Sequence, residues 1–331
     1  MGDIPKSYVW GPINAEDLVD LPGTRWIITS GMTGPGSPHG RLYAVDREDA
    51  SCNEIFPYLL THELDAARFG AQKPLVAEAL KPHGIDVKIR HDGVAELFVV
   101  NHGARESVEV FEILLDAPRP RLRWIGGAAL PDSAVGNDVA AVAGGGFVVS
   151  TMDGQGQASI SDGSAEPNTG GVLEWSPTGG WSLLPGTQIY VANGVAVSPD
   201  GEWVFIGGWG ACTIRKVRRG VAVPEAVTVP APIRVDNLTW SASGVLLAAG
   251  AFDTPIQAFA AAHISGEAKH AFPTRLIRID PDSLVIDVLV EYSSEAFGVG
   301  TTALHVGDEI WVGSAHDQGL ARFNFPAEKS A

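Results

Sequence analysis

Hydrophobic and polar positions alternate with a period of two along most of the chain, the mark of half-buried strands rather than of helices. The alternation is itself repeated. A run opening on polar residues passes through a turn into a strongly apolar run, and this pair recurs six times: "AEDLVDLPGTRWIITSGM" from Ala15, "GIDVKIRHDGVAELFVVNHG" from Gly84, "GNDVAAVAGGGFVVSTMD" from Gly136, "ANGVAVSPDGEWVFIGGW" from Ala192, "VDNLTWSASGVLLAAGAF" from Val235 and "GTTALHVGDEIWVGSAHD" from Gly300. A third alternating run follows each copy ("RLYAVD", "SVEVFEI", "GVLEWS", "TIRKVR", "RLIRID", "LARFNF"), and a fourth follows the first five ("CNEIF", "RLRWI", "GWSLL", "AVTVP", "LVIDVLV"). The last copy has no fourth run, and the unassigned "SYVW" at residues 7–10 supplies it. The pattern therefore predicts an all-β protein, one domain over residues 1–331: a six-bladed β-propeller of four-stranded blades, closed by an N-terminal strand that completes the last blade.

The repeat also assigns faces. With the first strand of each blade running along the central channel, antiparallel pairing returns the second strand to the rim where the first began. Residues opening strand one and residues just past strand two then share that rim with the long loops, at 31–40, 58–84, 153–171 and 251–274. Long loops on one face make a walled pocket. Met152, Trp209 and Phe252 reach the rim as apolar wall residues, and Asp153 and Asp253 read as loop caps. The 58–84 stretch, between blades one and two, reads as a small helical insertion, with Thr61 capping a turn that holds Glu63 and Asp65 and with Gly70 as its stop. It is either a lid or a packing insertion.

The same position read down the six copies gives Glu16-Asp17, Ile85-Asp86, Asn137-Asp138, Asn193-Gly194, Asp236-Asn237 and Thr301-Thr302. Asn193-Gly194 is a turn signal where no reversal is needed, so Asn193 is read instead as one member of a polar ring at the channel mouth. The ring is rich in carboxylate and amide oxygen and lacks thiolate and imidazole. Ca²⁺ takes six to eight oxygen ligands in tolerant geometry. Glu16 and Asp236 bring two negative charges, and Asn137, Asn193 and Asn237 bring neutral oxygens. Asp17, Asp86 and Asp138 lie beside the ring, where they can serve a second cation or stand as water-bridged carboxylates.

Charge narrows the partners. Acidic residues outnumber basic ones 39 to 23, a formal net charge of -16, which opposes nucleic acid and anionic membrane surfaces and is compatible with a hard cation. Only Cys52 and Cys212 are present, distant in sequence, so they are expected to be small core residues rather than a disulfide or thiolate site. No basic leader with an apolar stretch opens the chain, and no segment reaches the ~20 apolar residues of a membrane span. The expectation is a cytoplasmic protein acting on a small molecule. No G-x-S-x-G nucleophile motif is present, and no His-rich spacing calls for zinc or iron.

The runs "AEDL", "PHGIDV", "LFVVNHG...SVEVFEI", "GNDVAAV", "VANGVAVSPDGEWVFI" and "VDNLTW" resemble the paraoxonase/arylesterase family, within the senescence-marker/gluconolactonase and strictosidine-synthase-like propellers, over residues of about 15–250. "EIWVGSAHDQGLARF" agrees more weakly. The resemblance implies a catalytic Ca²⁺ held by Glu16, Asn137, Asn193, Asp236 and Asn237. It implies a deeper structural Ca²⁺ held by Asp17, Asp138 and a backbone carbonyl just after His102, and it makes His102, from the "VNH" motif, a general base. Two features depart from the family. A second histidine belongs on the strand before "ND", where "RPRLRWIGG" has none, and the N-terminal apolar segment and disulfide of secreted members are missing.

The function expected on these grounds is calcium-dependent hydrolysis of a lactone or activated (aryl) ester. Water would be activated by His102 or by Asp236, with His316 at the same rim orienting substrate or replacing the missing histidine. Two other readings stay open: a non-catalytic binding propeller with a structural calcium, and a strictosidine-synthase-like enzyme in which an acidic residue activates an amine without metal.

Overall fold

The computed structural model describes residues 2–33, 40–58, 60–152, 170–255, 258, 272–293 and 295–325. Six sheets surround one axis; four are made of four consecutive strands paired antiparallel, and the second and last blades each take in one further strand. The strand that faces the axis is the first of each blade: Ala15–Asp20, Pro82–Ile89, Val135–Ala141, Ala192–Val197, Leu238–Trp240 and Thr302–Val306. All five predicted fourth strands form, at Cys52–Phe56, Arg121–Ala129, Gly180–Leu183, Ala226–Pro230 and Ile286–Tyr292.

The last blade is closed as the pattern requires. Ser7–Ile13 pairs antiparallel with Gln318–Asn324, in the register Ser7↔Arg322, Tyr8↔Ala321 and Val9↔Leu320. Buried Glu309 ties this seam. It accepts from Lys6 Nζ (2.6 Å), from Arg322 Nε (2.7 Å) and from Trp311 Nε1 (3.0 Å).

Apolar strand faces stack blade on blade, so the main hydrophobic clusters fall in the gaps between neighbours. Leu42, Ile55, Leu97 and Phe111 fill the gap of blades one and two, Phe98, Val110 and Phe147 that of two and three, and Val9, Leu18, Leu304 and Trp311 that of six and one. This is how a ring without a single central core reaches native packing.

The insertion between blades one and two differs from expectation. Thr61 caps nothing: it lies in a short strand, Leu60–His62, that adds in parallel to Arg121–Ala129 as a fifth strand of blade two. The helix is one turn, Ala66–Phe69, capped by Asp65, whose carboxylate accepts from Arg68 N, and stopped at Gly70. Phe69 stacks on Trp175 at 5.3 Å, and Leu75 and Leu80 are buried among core side chains of blades one and two. The segment is packing rather than a lid. Both cysteines are free and half-buried rather than buried. Asp253 has a φ of 49°, a left-handed conformation that Asp tolerates. Asp153 and most of the 153–171 and 251–274 loops lie outside the described residues. No described helix is long and apolar enough to cross a membrane.

Candidate functional site

Four inner strands carry one residue more than their partners at the same height. The register slips between Ala15 and Leu18, Pro82 and Ile85, Gly136 and Val139, and Ala192 and Val195. The bulged pairs are Glu16-Asp17, His83-Gly84, Asn137-Asp138 and Asn193-Gly194. A bulge bends the strand and re-aims a side chain, here toward the axis. That accounts for the turn-like Asn193-Gly194.

It also corrects blade two, whose ring pair is His83-Gly84 and not Ile85-Asp86. An imidazole thus joins the oxygens. The glycines are needed for clearance: a Cβ at Gly194 would lie 2.3 Å from the Asp236 carbonyl oxygen, and one at Gly84 2.5 Å from Asp138 Cα. "HG" in blade two matches "NG" in blade four, and this was the signal that could have set the register.

These residues open onto a cavity of about 210 Å³ at the channel mouth. Glu16, His83, Asn137, Asn193, Asp236 and Thr301 reach it from the axis-facing segments; Met32, Met152, Trp209, Ala251 and His316 line it from the ends of second strands or just beyond. Phe252 does not line it. Its ring packs among Ile233, Val235 and Ile277, with the Arg275 guanidinium 3.8 Å above. Asn237 is fully buried beside the cavity, and its amide Nδ2 donates to Glu16 Oε1 (2.7 Å) and to the Glu16 carbonyl (3.1 Å).

Of the five side chains expected to bind calcium, four present a buried oxygen with no hydrogen-bond partner: Glu16 Oε2, Asn137 Oδ1, Asn193 Oδ1 and Asn237 Oδ1. Leaving such atoms without any partner costs about 1–3 kcal/mol each, so these four oxygens, which the protein itself does not satisfy, call for a cation or bound water. The fifth, Asp236, is pushed well above the usual carboxylate range by burial and by the charge of Glu16, against a hydrogen bond from Asn193. A cation reverses both effects. Among the described residues no group of three or more His, Cys, Asp or Glu side chains is arranged to hold a metal; the donor set here is two carboxylates and three amides, which suits calcium.

The three aspartates next to the ring have another task. Asp17 Oδ2 accepts from Ile85 N (2.9 Å), Asp86 Oδ2 from Ala141 N (2.7 Å) and Asp138 Oδ2 from Val195 N (2.7 Å), while the other oxygen of each takes the N–H of its own next residue. Each carboxylate thereby staples its inner strand to the next blade. The deeper calcium implied for Asp17 and Asp138 is not needed to satisfy them. Burial raises all three, Asp86 to about 6 and Asp17, beside Glu16, to about 8.

His102 does not line the cavity. It stands one step behind, its Nε2 2.8 Å from His83 Nδ1, and its Nδ1 is 2.9 and 3.0 Å from the two oxygens of Glu106. His83 Nε2 comes 3.6 Å from Glu16 Oε1. A second histidine therefore stands beside His102, supplied by the blade-two bulge and not by the strand before "ND". Burial alone would lower His83, but the negative charge of Glu16 outweighs it and raises the ring above its usual value.

Neither a protein-family model nor a curated protein sequence matches the chain. Among solved structures it is similar over nearly its whole length to a luciferin-regenerating enzyme (12% identity, covering 97% of this chain and 95% of that one, TM-score 0.55). It is likewise similar to a protein assigned as a gluconolactonase (14%, 96% and 89%, TM-score 0.54). A third is a calcium-binding protein, regucalcin, from Agrobacterium tumefaciens (12%, 98% and 94%, TM-score 0.52). At such identities the likeness establishes the fold: this chain has the architecture of the gluconolactonase and regucalcin propellers.

Proposed function

We propose that the protein is a calcium-dependent hydrolase of lactones or activated aryl esters. The observation that carries this reading is that the partnerless buried oxygens of Glu16, Asn137 and Asn193 meet an imidazole at one cavity, with that of Asn237 beside it. Glu16, Asn137, Asn193, Asp236 and Asn237 would hold the ion. When bound, it supplies positive charge that neutralises Glu16 and Asp236 and favours a carbonyl oxygen on which negative charge develops. Asn237 holds Glu16 in place through its amide, and the Asn193 amide does the same for Asp236.

His83 presents Nε2 to the cavity, while its Nδ1 is engaged by His102. A neutral imidazole so placed accepts a proton from attacking water and returns it to the leaving oxygen. His102 keeps the ring from rotating. Met152 and Trp209 bring apolar surface that excludes bulk water and accepts the body of a substrate, and His316, across the cavity, can orient it. The calcium of regucalcin and the activity assigned to the gluconolactonase-like neighbour agree with this reading in kind.

The test is a panel of lactones and aryl esters assayed before and after EGTA treatment and calcium readdition, with Asn193→Ala beside the wild type. Hydrolysis that disappears with EGTA, returns with calcium and is weakened by the substitution is expected. No hydrolysis across the panel, or hydrolysis indifferent to both treatments, defeats the proposal.

A further inference from the structure

We infer that Glu106 is a positioning residue which, through His102, fixes which nitrogen of His83 carries a proton; its consequence for rate rests on the hydrolase reading, its effect on the rings does not. Glu106 sits directly across the hairpin from His102, in the register His102↔Glu106. Its backbone carbonyl accepts from Leu130 N at 2.9 Å, and its Oε2 is 3.4 Å from Gly136 N, the residue before Asn137. The side chain is thus held between its own hairpin and the start of blade three, with both oxygens at His102 Nδ1.

The consequence follows from counting protons. An ionised carboxylate only accepts hydrogen bonds, so His102 Nδ1 must carry the hydrogen. A neutral imidazole has one, which leaves His102 Nε2 as an acceptor. Its partner at 2.8 Å is His83 Nδ1, which must then be the donor. That places the lone pair of His83 on Nε2, the nitrogen turned toward Glu16 and the cavity.

Without Glu106 the two rings can run the other way, with His102 Nε2 donating to His83 Nδ1 and a hydrogen on His83 Nε2. The ring-to-ring bond is the same in both arrangements, but only the first leaves a base facing the cavity. Two carboxylates compete for the pair: Glu16 Oε1, 3.6 Å from His83 Nε2, favours a hydrogen there, while Glu106, with both oxygens within hydrogen-bond length of His102 Nδ1, makes the closer contact and sets the first arrangement. No motif marks Glu106 in the sequence; the signal available was a glutamate four residues after the "VNH" histidine across a tight turn.

The test compares wild type, Glu106→Gln and Glu106→Leu in ¹⁵N-histidine NMR of the calcium-loaded protein, with kcat, KM and thermal midpoint measured alongside. In the wild type both His83 and His102 should be protonated at Nδ1. Glu106→Leu should move both protons toward Nε2 and lower kcat about 100-fold or more, with KM within about threefold and the thermal midpoint unchanged. Glu106→Gln keeps an acceptor oxygen without the charge, so its rate should lie between and follow its Nδ1–H population. Unchanged tautomers in Glu106→Leu, or a rate loss that follows KM or unfolding instead, overturns the inference. If the wild type hydrolyses nothing while the tautomers still respond, the hydrolase reading fails and the positioning role stands.

Discussion

Gly194→Ala tests the bulge geometry on which the site depends. The added methyl would lie 2.3 Å from the Asp236 carbonyl oxygen, 2.7 Å from Leu238 N and 2.8 Å from Asn237 C, all backbone atoms of the next blade and none able to swing aside. Blades four and five must separate by roughly 1 Å to restore ordinary contact. Overpacking of this kind costs about 1–3 kcal/mol, and the upper end applies because three backbone atoms are met at once. Separation also strains the Gly194 N to Asp236 O hydrogen bond of 3.1 Å, adding about 1 kcal/mol. For 331 residues the unfolding entropy is about 0.7 kcal/mol/K, so a loss of about 3–4 kcal/mol lowers the thermal midpoint by about 4–6 °C.

The same movement pulls Asn193 away from Asp236, and calcium affinity measured by titration calorimetry should fall tenfold or more, about 1.4 kcal/mol. Gly93→Ala is a useful control, since nothing lies within 4 Å of its Cβ position and the cost is only backbone strain at a φ of 85°. A Gly194→Ala protein with wild-type midpoint and wild-type calcium affinity would refute the account of the bulge.

Calcium at about a hundredfold over its Kd should stabilise the protein by about 2.7 kcal/mol, near 4 °C in differential scanning fluorimetry, and EGTA should abolish the gain. Because Asp17 is raised from 3.8 to about 8 and Asp138 and Asp236 are also raised, the folded calcium-free state holds protons that the unfolded chain has released. Its stability should therefore fall as pH rises from about 4 to about 8, and a flat or rising midpoint over that window contradicts the shifts. Glu309 has the opposite sign. Burial alone would raise it, yet hydrogen bonds from Lys6, Arg322 and Trp311 hold it below its usual value. Its contribution is present above the ordinary glutamate range and is lost as pH falls through the lower folded value. Glu309→Gln should cost about 3 kcal/mol, the low end for a buried pair because Lys6 is half-exposed; urea unfolding should show the cost and a shallower acid limb.

The four strands of each blade, blade order and the closing strand were legible because alternation and turn residues are local signals, and "SYVW" had nowhere else to pair. Four of the five expected calcium-binding side chains and three of the four rim residues could be placed for the same reason: strand polarity fixes which residues reach the rim. Phe252 was misplaced because the chain turns inward one residue after the rim, putting the ring under Arg275. His83 was missed because periodicity carries no trace of a bulge. One extra residue shifts the register without changing the apolar pattern on either side, so Ile85-Asp86 fitted the alignment as well as His83-Gly84 did. The stapling aspartates were equally hidden, since a carboxylate that bonds the backbone of another blade looks like a solvated one until the blades are assembled. Thr61 is a good cap by residue type, but pairing with Arg121–Ala129 took the segment into a strand.

The seam between the first and last strands has a mechanical consequence. Ser7–Ile13 runs antiparallel to Gln318–Asn324, and Ser7 sits opposite Arg322, so both chain ends leave the sheet from the same side. Tension drawn through the two ends would peel that pair apart one rung at a time instead of shearing every rung together. The ring should withstand swelling pressure from within far better than traction on its own tails, and the Lys6, Glu309 and Arg322 cluster stands where such a zipper would first begin to run.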